Sequence, residues 1–218
     1  MVLKKQNWSE RSFRRQYLNI LRHSMPELSR YQKKEICRET ERLADKLTVE
    51  NEAMIVDRAA RTHLGMTALV LASYQVILPH FKDGESVVNT LEGTFTGVGK
   101  RWIKLYTRLI LRFSRDPFIT MIEVSKKRVE NNYGKTFVFE YSGDGRNDFI
   151  ITTKKCFYHD FFVVNDIPEL TRVFCSADRN WFDEIRPEKH GFKFERPFTL
   201  GYGGSECPFK FTRTDNHR

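Results

Sequence analysis

Three of the four cysteines lie in the last third of the chain, and each precedes a charged or aromatic residue. Cys156 precedes His159 by three residues, Cys175 precedes Asp178 by three, and Cys207 precedes a phenylalanine by two. Because a thiolate is a strong nucleophile whose formation depends on its surroundings, this combination could support covalent chemistry. The pattern therefore predicts a site that holds a small polar molecule.

Each of these residues also has a simpler structural interpretation. A single cysteine is often a small buried apolar residue, and His159 could be a hydrogen-bonded structural histidine. Asp178 has the position of a helix N-cap, and Gly203 and Gly204 could serve only a turn. Only the clustering of these residues favours a functional site.

A metal site is a further interpretation of the three thiols. Cys156, Cys175 and Cys207 with His159 would supply four ligands, but their spacing is long and irregular, whereas structural zinc sites use close pairs. The chain contains no CxxC pair, HExxH motif, P-loop or GxGxxG motif. We therefore expect no cofactor.

The charge of the chain is strongly asymmetric. The net charge is +9, and residues 1–135 hold 25 Lys and Arg against 15 Asp and Glu, whereas residues 136–218 hold 12 against 13. A basic region can attract nucleic acid or an anionic membrane, but here acids are interspersed and 13 of 18 phenylalanines lie in the other part. We therefore expect solvated helix faces, a small-molecule substrate, and no nucleic-acid or membrane partner.

Two segments bear on location and assembly. The longest uncharged apolar run, Leu64–Leu78, is shorter than a membrane span, and the first fifteen residues lack the apolar segment of a signal peptide. We therefore expect a cytoplasmic protein with reduced thiols. The charged helix predicted over Pro26–Leu47 is compatible with a homo-oligomer.

Hydrophobic periodicity predicts an α+β fold, with a helical N-terminal part packed on a C-terminal antiparallel sheet. The period changes from helical to alternating near Gly134, so we predict a helical region over residues 1–134 and a Cys- and aromatic-rich α+β region over 135–218 that carries the site. The two regions are expected to form one integrated domain.

Local signals predict the individual elements. Helices are expected to begin near Ser24 or Met25, at Asp83 and at Asp116. The chain further predicts a helix with an apolar stripe at Trp102, Leu105, Tyr106, Leu109 and Phe113; a connection at Gly93–Gly99; a hairpin over Thr136–Thr153; a β-rich segment at Leu170–Cys175; a helix over Asp178–Ile185; and strands at Phe192–Glu195 and Pro208–Thr212.

The ordered set of motifs resembles the L-2-amino-thiazoline-4-carboxylic acid hydrolase family. The resemblance is most specific over residues 156–211. The matching segments are Cys156-Phe157-Tyr158-His159-Asp160-Phe161-Phe162, Pro168-Glu169-Leu170, Phe174-Cys175-x-x-Asp178, Trp181-Phe182, and Arg196-Pro197 to Gly203-Gly204-x-x-Cys207-x-Phe209.

The resemblance implies ring-opening hydrolysis of a cyclic amidine at a C–N bond, giving S-carbamoyl-cysteine in cysteine metabolism, or action on a related small molecule. It also implies roles for the motif residues. One thiol attacks or positions water, and an imidazole moves a proton; a carboxylate holds the amidinium, and cations with backbone amides hold the substrate carboxylate. The catalytic candidates are Cys156, His159, Asp160, Cys175, Asp178 and Cys207, and the substrate-binding candidates are Arg179, Arg196, Gly203 and Gly204.

A non-catalytic domain that senses a small molecule or a metal is the alternative function. The same residues would then form a pocket that binds a ligand without converting it. At the level of fold, a helical part followed by a sheet is similar to small-molecule sensing domains. Formation of product distinguishes the two hypotheses.

Overall fold

A computed structural model describes residues 8–214, with side chains from Glu10 onward. Residues 1–7, on which the signal-peptide prediction partly depends, and residues 215–218 lie outside this range. No helix of the described range is long and apolar enough to cross a membrane. Its N-terminal part consists of helices α1 (Trp8–His23), α2 (Arg30–Glu50), α3 (Arg58–Ile77), α4 (Gly84–Gly97), α5 (Lys100–Phe113) and α6 (Pro117–Asn132).

The C-terminal part adds a sheet and four short helices. Its elements are β1 (Val138–Ser142), β2 (Asp148–Lys155), α7 (Phe157–Val164), α8 (Thr171–Ala177), α9 (Arg179–Phe182), α10 (Pro187–His190), β3 (Phe192–Glu195) and β4 (Cys207–Arg213). The strands form one antiparallel sheet in the order β1-β2-β4-β3. The predicted α+β class is confirmed.

Side-chain caps explain where several helices begin. The carboxylates of Asp83 and Asp116 accept hydrogen bonds from backbone N–H groups in the first turns of α4 and α6, as predicted. Helix α2 begins later than predicted, because Ser29 and Gln32 form a capping box in which each side chain bonds to the other residue's backbone N–H. The prediction of a start at Ser24 or Met25 was wrong.

Two further local predictions were wrong, and packing explains both. Leu170–Cys175 is mostly helical rather than extended, because α8 packs closely against α4. The glycine-rich stretch at residues 93–97 continues α4 instead of ending it. A Cβ at Gly97 would lie 3.1 Å from Ile20 Cδ1, so this glycine allows the close approach of α1 and α4.

Two hydrophobic clusters stabilise the fold. The first joins α1–α4 to α7 and α8, and the second joins α6 to the inner face of the sheet and to Trp181. Phe139 of β1 packs against both clusters. Polar residues also lie at this junction: Tyr133 and Tyr158 pack on the first cluster, while Arg196 lies over rings of the second. The junction therefore positions the candidate site.

Candidate functional site

The fold brings the three C-terminal cysteines together. Cys156 lies between β2 and α7, Cys175 lies on α8, and Cys207 begins β4, where it pairs with Thr153 of β2. All are free thiols. Burial raises the pKa of Cys156, and the neighbouring thiols of Cys175 and Cys207 raise it further. Cys156 therefore lies near the other two thiols in the tertiary structure, and a functional role for the three stays a prediction.

Burial keeps these thiols protonated at neutral pH. It raises the pKa of Cys207 to about 11, although the Sγ atom accepts a hydrogen bond from the Leu200 N–H at 3.2 Å. Burial also raises the pKa of Cys175, against a smaller opposing effect of the Thr199 hydroxyl beside it. Backbone N–H groups at the start of α7 point to Cys156 and lower its pKa only partly. An activated thiolate would need a bound ligand or a base.

Asp178 and Arg196 form a largely buried ion pair beside Cys175. Asp178 Oδ2 accepts from Arg196 Nη1 at 2.8 Å, and Oδ1 accepts from Trp181 Nε1 at 3.2 Å. Arg196 Nη2 also donates to the Cys175 carbonyl at 2.9 Å. Asp178 makes no side-chain cap to α9. Its carboxylate instead connects α8, α9 and the segment after β3.

A second group of polar residues lies beside the ion pair. Arg128 of α6 is exposed to solvent. Charge interactions with Tyr133, and more weakly with Asp178 and Tyr158, raise the pKa of Arg128, while partial desolvation opposes them. Burial raises the pKa of Tyr133 and Tyr158, and Cys156 nearby raises both further. These five residues, Arg128, Tyr133, Cys156, Tyr158 and Asp178, lie near one another and are called the cleft below.

The positive charge of Arg128 is not neutralised by an ion pair in the described range. No carboxylate oxygen in the described range lies within 4.0 Å of its guanidinium. The hydroxyl of Tyr133 lies near its guanidinium. A guanidinium carries five N–H donors arranged to bind a carboxylate through two hydrogen bonds. Arg128 can therefore accept an anion from a ligand in the cleft.

The hydrogen-bond partners of His63 define its protonation state. Its Nε2 lies 3.0 Å from the carbonyl oxygen of Asn132, which can only accept, so Nε2 carries the proton. Its Nδ1 lies 3.0 Å from the Tyr158 hydroxyl, which therefore donates to it. Burial lowers the pKa of His63, so the ring is neutral at pH 7. Tyr158 and His63 together form a path along which a proton could move.

Several residues predicted to act on the substrate lie away from the cleft. His159 Nδ1 is 3.3 Å from the Thr171 hydroxyl, although its backbone N–H faces Cys156. Asp160 pairs with Lys155 at 3.7 Å near the surface. Arg179 is exposed and pairs with Asp183. Their side chains have structural contacts that explain their positions.

The glycines near Cys207 have different roles from one another. Gly203 adopts a left-handed conformation with φ 82°, and the Gly204 N–H donates to the Thr199 carbonyl at 2.9 Å, so both shape a turn. Gly201 lies closest to a thiol, because a Cβ there would be 2.9 Å from Cys175 Sγ. Among these glycines, Gly201 is the one whose missing side chain leaves room for a candidate catalytic group.

Arg128, Tyr133 and His63 lie in sequence contexts with little sign of a functional role. Arg128 ends a run of three basic residues on α6, which is typical of a solvated helix face. Tyr133 precedes a glycine at a helix end and has the pattern of a turn residue. Of the three, only His63 carries a sequence sign of a functional role, because it is a single histidine at the start of the most apolar run.

Two other features help to delimit the site. A cavity of about 890 Å³ lies between α1 and α2; its lining includes four arginines together with Cys37 and Glu41, and it contains none of the cleft residues. It lacks the combination of thiol, carboxylate and proton carrier found in the cleft. Within the described range, no three His, Cys, Asp or Glu side chains are arranged to hold a metal ion.

A comparison with known families finds a family model that matches the chain. The family model for L-2-amino-thiazoline-4-carboxylic acid hydrolase matches residues 66–211, about two thirds of the chain. The matched range includes Arg128, Asp178 and all three clustered cysteines, whereas His63 lies just before it. No curated protein and no solved structure matches the chain.

Proposed function

This chain belongs to the L-2-amino-thiazoline-4-carboxylic acid hydrolase family, and on that premise we propose that it hydrolyses a C–N bond of a small cyclic amidine that carries a carboxylate. The substrate that fits this description is 2-aminothiazoline-4-carboxylate. The observation that carries the proposal is the presence of Arg128, a guanidinium without an ion pair in the described range, beside a carboxylate and thiols. A substrate with one cationic and one anionic group matches that arrangement.

Arg128 is the proposed binding group for the substrate carboxylate. Arg179 is exposed and pairs with Asp183, and the guanidinium of Arg196 already bonds to Asp178 and to the Cys175 carbonyl. Arg128 has no competing carboxylate in the described range within 4.0 Å. It can therefore form a two-bond contact without losing an existing ion pair.

Asp178 is the proposed partner of the amidinium. Its carboxylate accepts from Arg196 and Trp181 but retains lone pairs for a ligand. The hydrogen bonds from these two residues hold the carboxylate in one orientation, and Asp178 in turn faces Arg128. A substrate held between opposite charges would have its reacting carbon fixed relative to the thiols.

Cys156 is the best placed nucleophile among the three thiols. It is partly exposed, and its negative form raises the pKa of both Tyr133 and Tyr158, so it faces the cleft. Cys207 is buried and its sulfur is already engaged by a backbone N–H. Cys175 remains the second candidate, since it is also partly exposed.

The reaction balances with one molecule of water. The Cys156 sulfur forms a bond to C2 of the ring, and its proton passes to Tyr158 while the Tyr158 proton passes to His63 Nδ1. The C2–N bond of the ring then breaks, and the ring nitrogen takes up a proton by the reverse path. Water next adds to C2 and displaces the thiol, giving S-carbamoyl-cysteine. In this scheme, the Tyr158–His63 pair replaces His159 as the proton carrier.

A binding-only role is the second candidate function. It is favoured by one observation, the pKa of all three thiols, which burial raises. Protonated thiols are weak nucleophiles, and the same opposite charges would still hold a zwitterionic ligand. Retention of the unconverted ligand at a one-to-one ratio would distinguish this role.

The decisive test is incubation of the purified chain with 2-aminothiazoline-4-carboxylate, followed by mass spectrometry of S-carbamoyl-cysteine. We expect Cys156→Ser to reduce kcat by roughly 10³-fold or more, while Cys37→Ser, a thiol on α2 away from the cleft, retains activity. Full turnover in Cys156→Ser, Cys175→Ser and Cys207→Ser would reject covalent catalysis and leave direct attack by water.

A second pair of variants tests substrate binding separately. A hydrogen bond to a charged group changes affinity by several-fold to more than a hundred-fold. Arg128→Gln should therefore raise KM by roughly 100-fold, whereas Arg179→Gln should leave KM unchanged. If the unaltered chain forms product and both variants have the same KM value, the proposed hydrolase activity stands and the role of Arg128 is refuted. Bound, unconverted substrate would favour the binding-only role.

A further inference from the structure

Helix α5 presents its apolar face to solvent rather than to the core. Only Thr107 and Leu111 of this helix are buried. Trp102 and Phe113, near its two ends, are each 76% exposed. The exposed apolar side chains of α5 are Trp102, Ile103, Leu105, Tyr106, Leu109 and Phe113. An apolar stripe of this length on the outside of a protein usually marks an interaction surface.

Positive charge runs along one edge of this stripe. Arg101, Arg108 and Arg112 are seven and four residues apart, a spacing that places them on one side of the helix. Helix α5 contains five Lys and Arg residues and no acid. The acidic residue that contacts α5, Glu184, pairs with Lys104 and Arg108, which leaves Arg101 and Arg112 of the edge without an ion pair in the described range. The surface therefore complements an apolar and negatively charged partner.

The helix is also held firmly in this orientation. Thr107 and Leu111 anchor its inner side, and the buried Glu184 carboxylate binds both Lys104 and Arg108 from the turn after α9. Arg108 and, more weakly, Lys104 lower the pKa of Glu184, consistent with a persistent contact. The exposed stripe is therefore a fixed feature of the folded protein and not the inner face of a loosely attached helix.

We propose that α5 binds the surface of an anionic lipid membrane, with its apolar stripe among the lipid headgroups and its arginines at the phosphates. Trp, Tyr and Phe on one face with cations beside them is the composition of helices that lie in the plane of a membrane surface. A second copy of the chain packed through this face would bring Arg101 and Arg112 of each copy, which lack an ion pair in the described range, close to those of the other, and this disfavours self-association. The sequence alone led us to expect no membrane partner, and the outward orientation of the stripe changes that expectation.

The test is flotation of the full chain with phosphatidylcholine vesicles, with and without phosphatidylglycerol. We expect binding only when the anionic lipid is present, accompanied by a blue shift of Trp102 fluorescence. A Trp102→Ser/Phe113→Ser double variant should bind roughly 10-fold more weakly or worse, and Arg101→Gln/Arg112→Gln should lose roughly 10- to 30-fold.

Matched controls separate the face from general hydrophobicity. Tyr31→Ser removes an aromatic side chain of α2 that is equally exposed, at 77%, and should leave flotation unchanged. Trp102→Phe should retain flotation but lose the fluorescence shift. Equal binding to neutral vesicles, or no loss in the double variants, would overturn the proposal. A second copy would be the partner instead if the chain did not bind vesicles, formed a dimer in sedimentation velocity, and became monomeric in the Trp102→Ser/Phe113→Ser variant. That result would overturn the proposal. The assay uses no substrate and is independent of hydrolase activity.

Discussion

The cleft and the exposed face of α5 depart in opposite ways from the usual distribution of residues. At the cleft, the ion pair of Asp178 and Arg196 lies largely within the fold, whereas α5 holds Trp102 and Phe113 on the surface. Folded proteins normally bury large apolar side chains and expose charges. Both arrangements oppose stability, and each underlies one of the two binding roles proposed for this chain.

Helix α6 shows the usual arrangement next to this exception. Its stripe includes Phe118, Met121 and Ile122, which are buried against the inner face of the sheet. The stripe of α5 follows the same kind of spacing but turns outward. Periodicity therefore predicts that a helix has an apolar face, and tertiary packing decides whether that face is covered.

The largest expected difference in the free energy of unfolding is between substitutions of two phenylalanines that are five residues apart. Phe118 is 0% exposed and Phe113 is 76% exposed. Phe118→Ala should lower the free energy of unfolding by about 3–5 kcal/mol, because it creates a cavity between α6 and the sheet. Phe113→Ala should change it by about 0.5 kcal/mol or less. Urea denaturation of both variants measures the contrast, and similar losses would show that the stripe of α5 is covered in solution.

A smaller difference is expected between two arginines that each pair with an aspartate. Arg196→Met leaves the largely buried Asp178 without its ionic partner and should cost about 3 kcal/mol. Arg179→Met removes an exposed pair with Asp183 and should cost about 0.5 kcal/mol or less. Thermal and urea unfolding provide the values. If Arg196→Met were as stable as Arg179→Met, the ion pair would not hold the cleft together.

The smallest effect is a dependence of stability on alkaline pH. Burial raises the pKa of Cys156 and Cys207 above the ordinary thiol value of 9.0. Above pH 9 the unfolded thiols release protons that the folded ones retain, so stability is present below that pH and is lost as pH rises. Each thiol contributes a slope of about 1.4 kcal/mol per pH unit.

Variants in the cleft region and on α5 test this slope between pH 8 and 10.5. Cys156→Ala and Cys207→Ala should each flatten the decline in the free energy of unfolding, whereas Phe113→Ala on α5 should leave it unchanged. An unaltered slope in both cysteine variants would mean that the thiols titrate normally and are not enclosed by the fold.

Much of the secondary structure followed from local sequence. The caps at Asp83 and Asp116 and the hairpin before Cys156 were predicted correctly, because these signals depend on residues a few positions apart. The segment of α8 was predicted as β-rich, since its composition favours a strand, yet contact with α4 makes it helical. Local preference is weak enough for packing to override it.

The candidate site was only partly accessible from sequence. The motifs identified the three cysteines, Asp178 and Arg196, all within one C-terminal segment. Arg128 and His63 come from helices far earlier in the chain, and their surroundings in sequence resemble ordinary helix faces. No spacing rule relates such distant residues, so their placement beside Asp178 and Tyr158 required the tertiary structure.

The sequence by itself determined the fold class, the family, the clustered thiols and the existence of an apolar stripe on α5. These depend on residue types, on short spacings and on the order of motifs along the chain. Only the tertiary structure decided that Arg128 faces the cleft and that Trp102 faces solvent. Both outcomes depend on which surfaces pack together, and that is settled by the free energy of the whole fold rather than by any local segment.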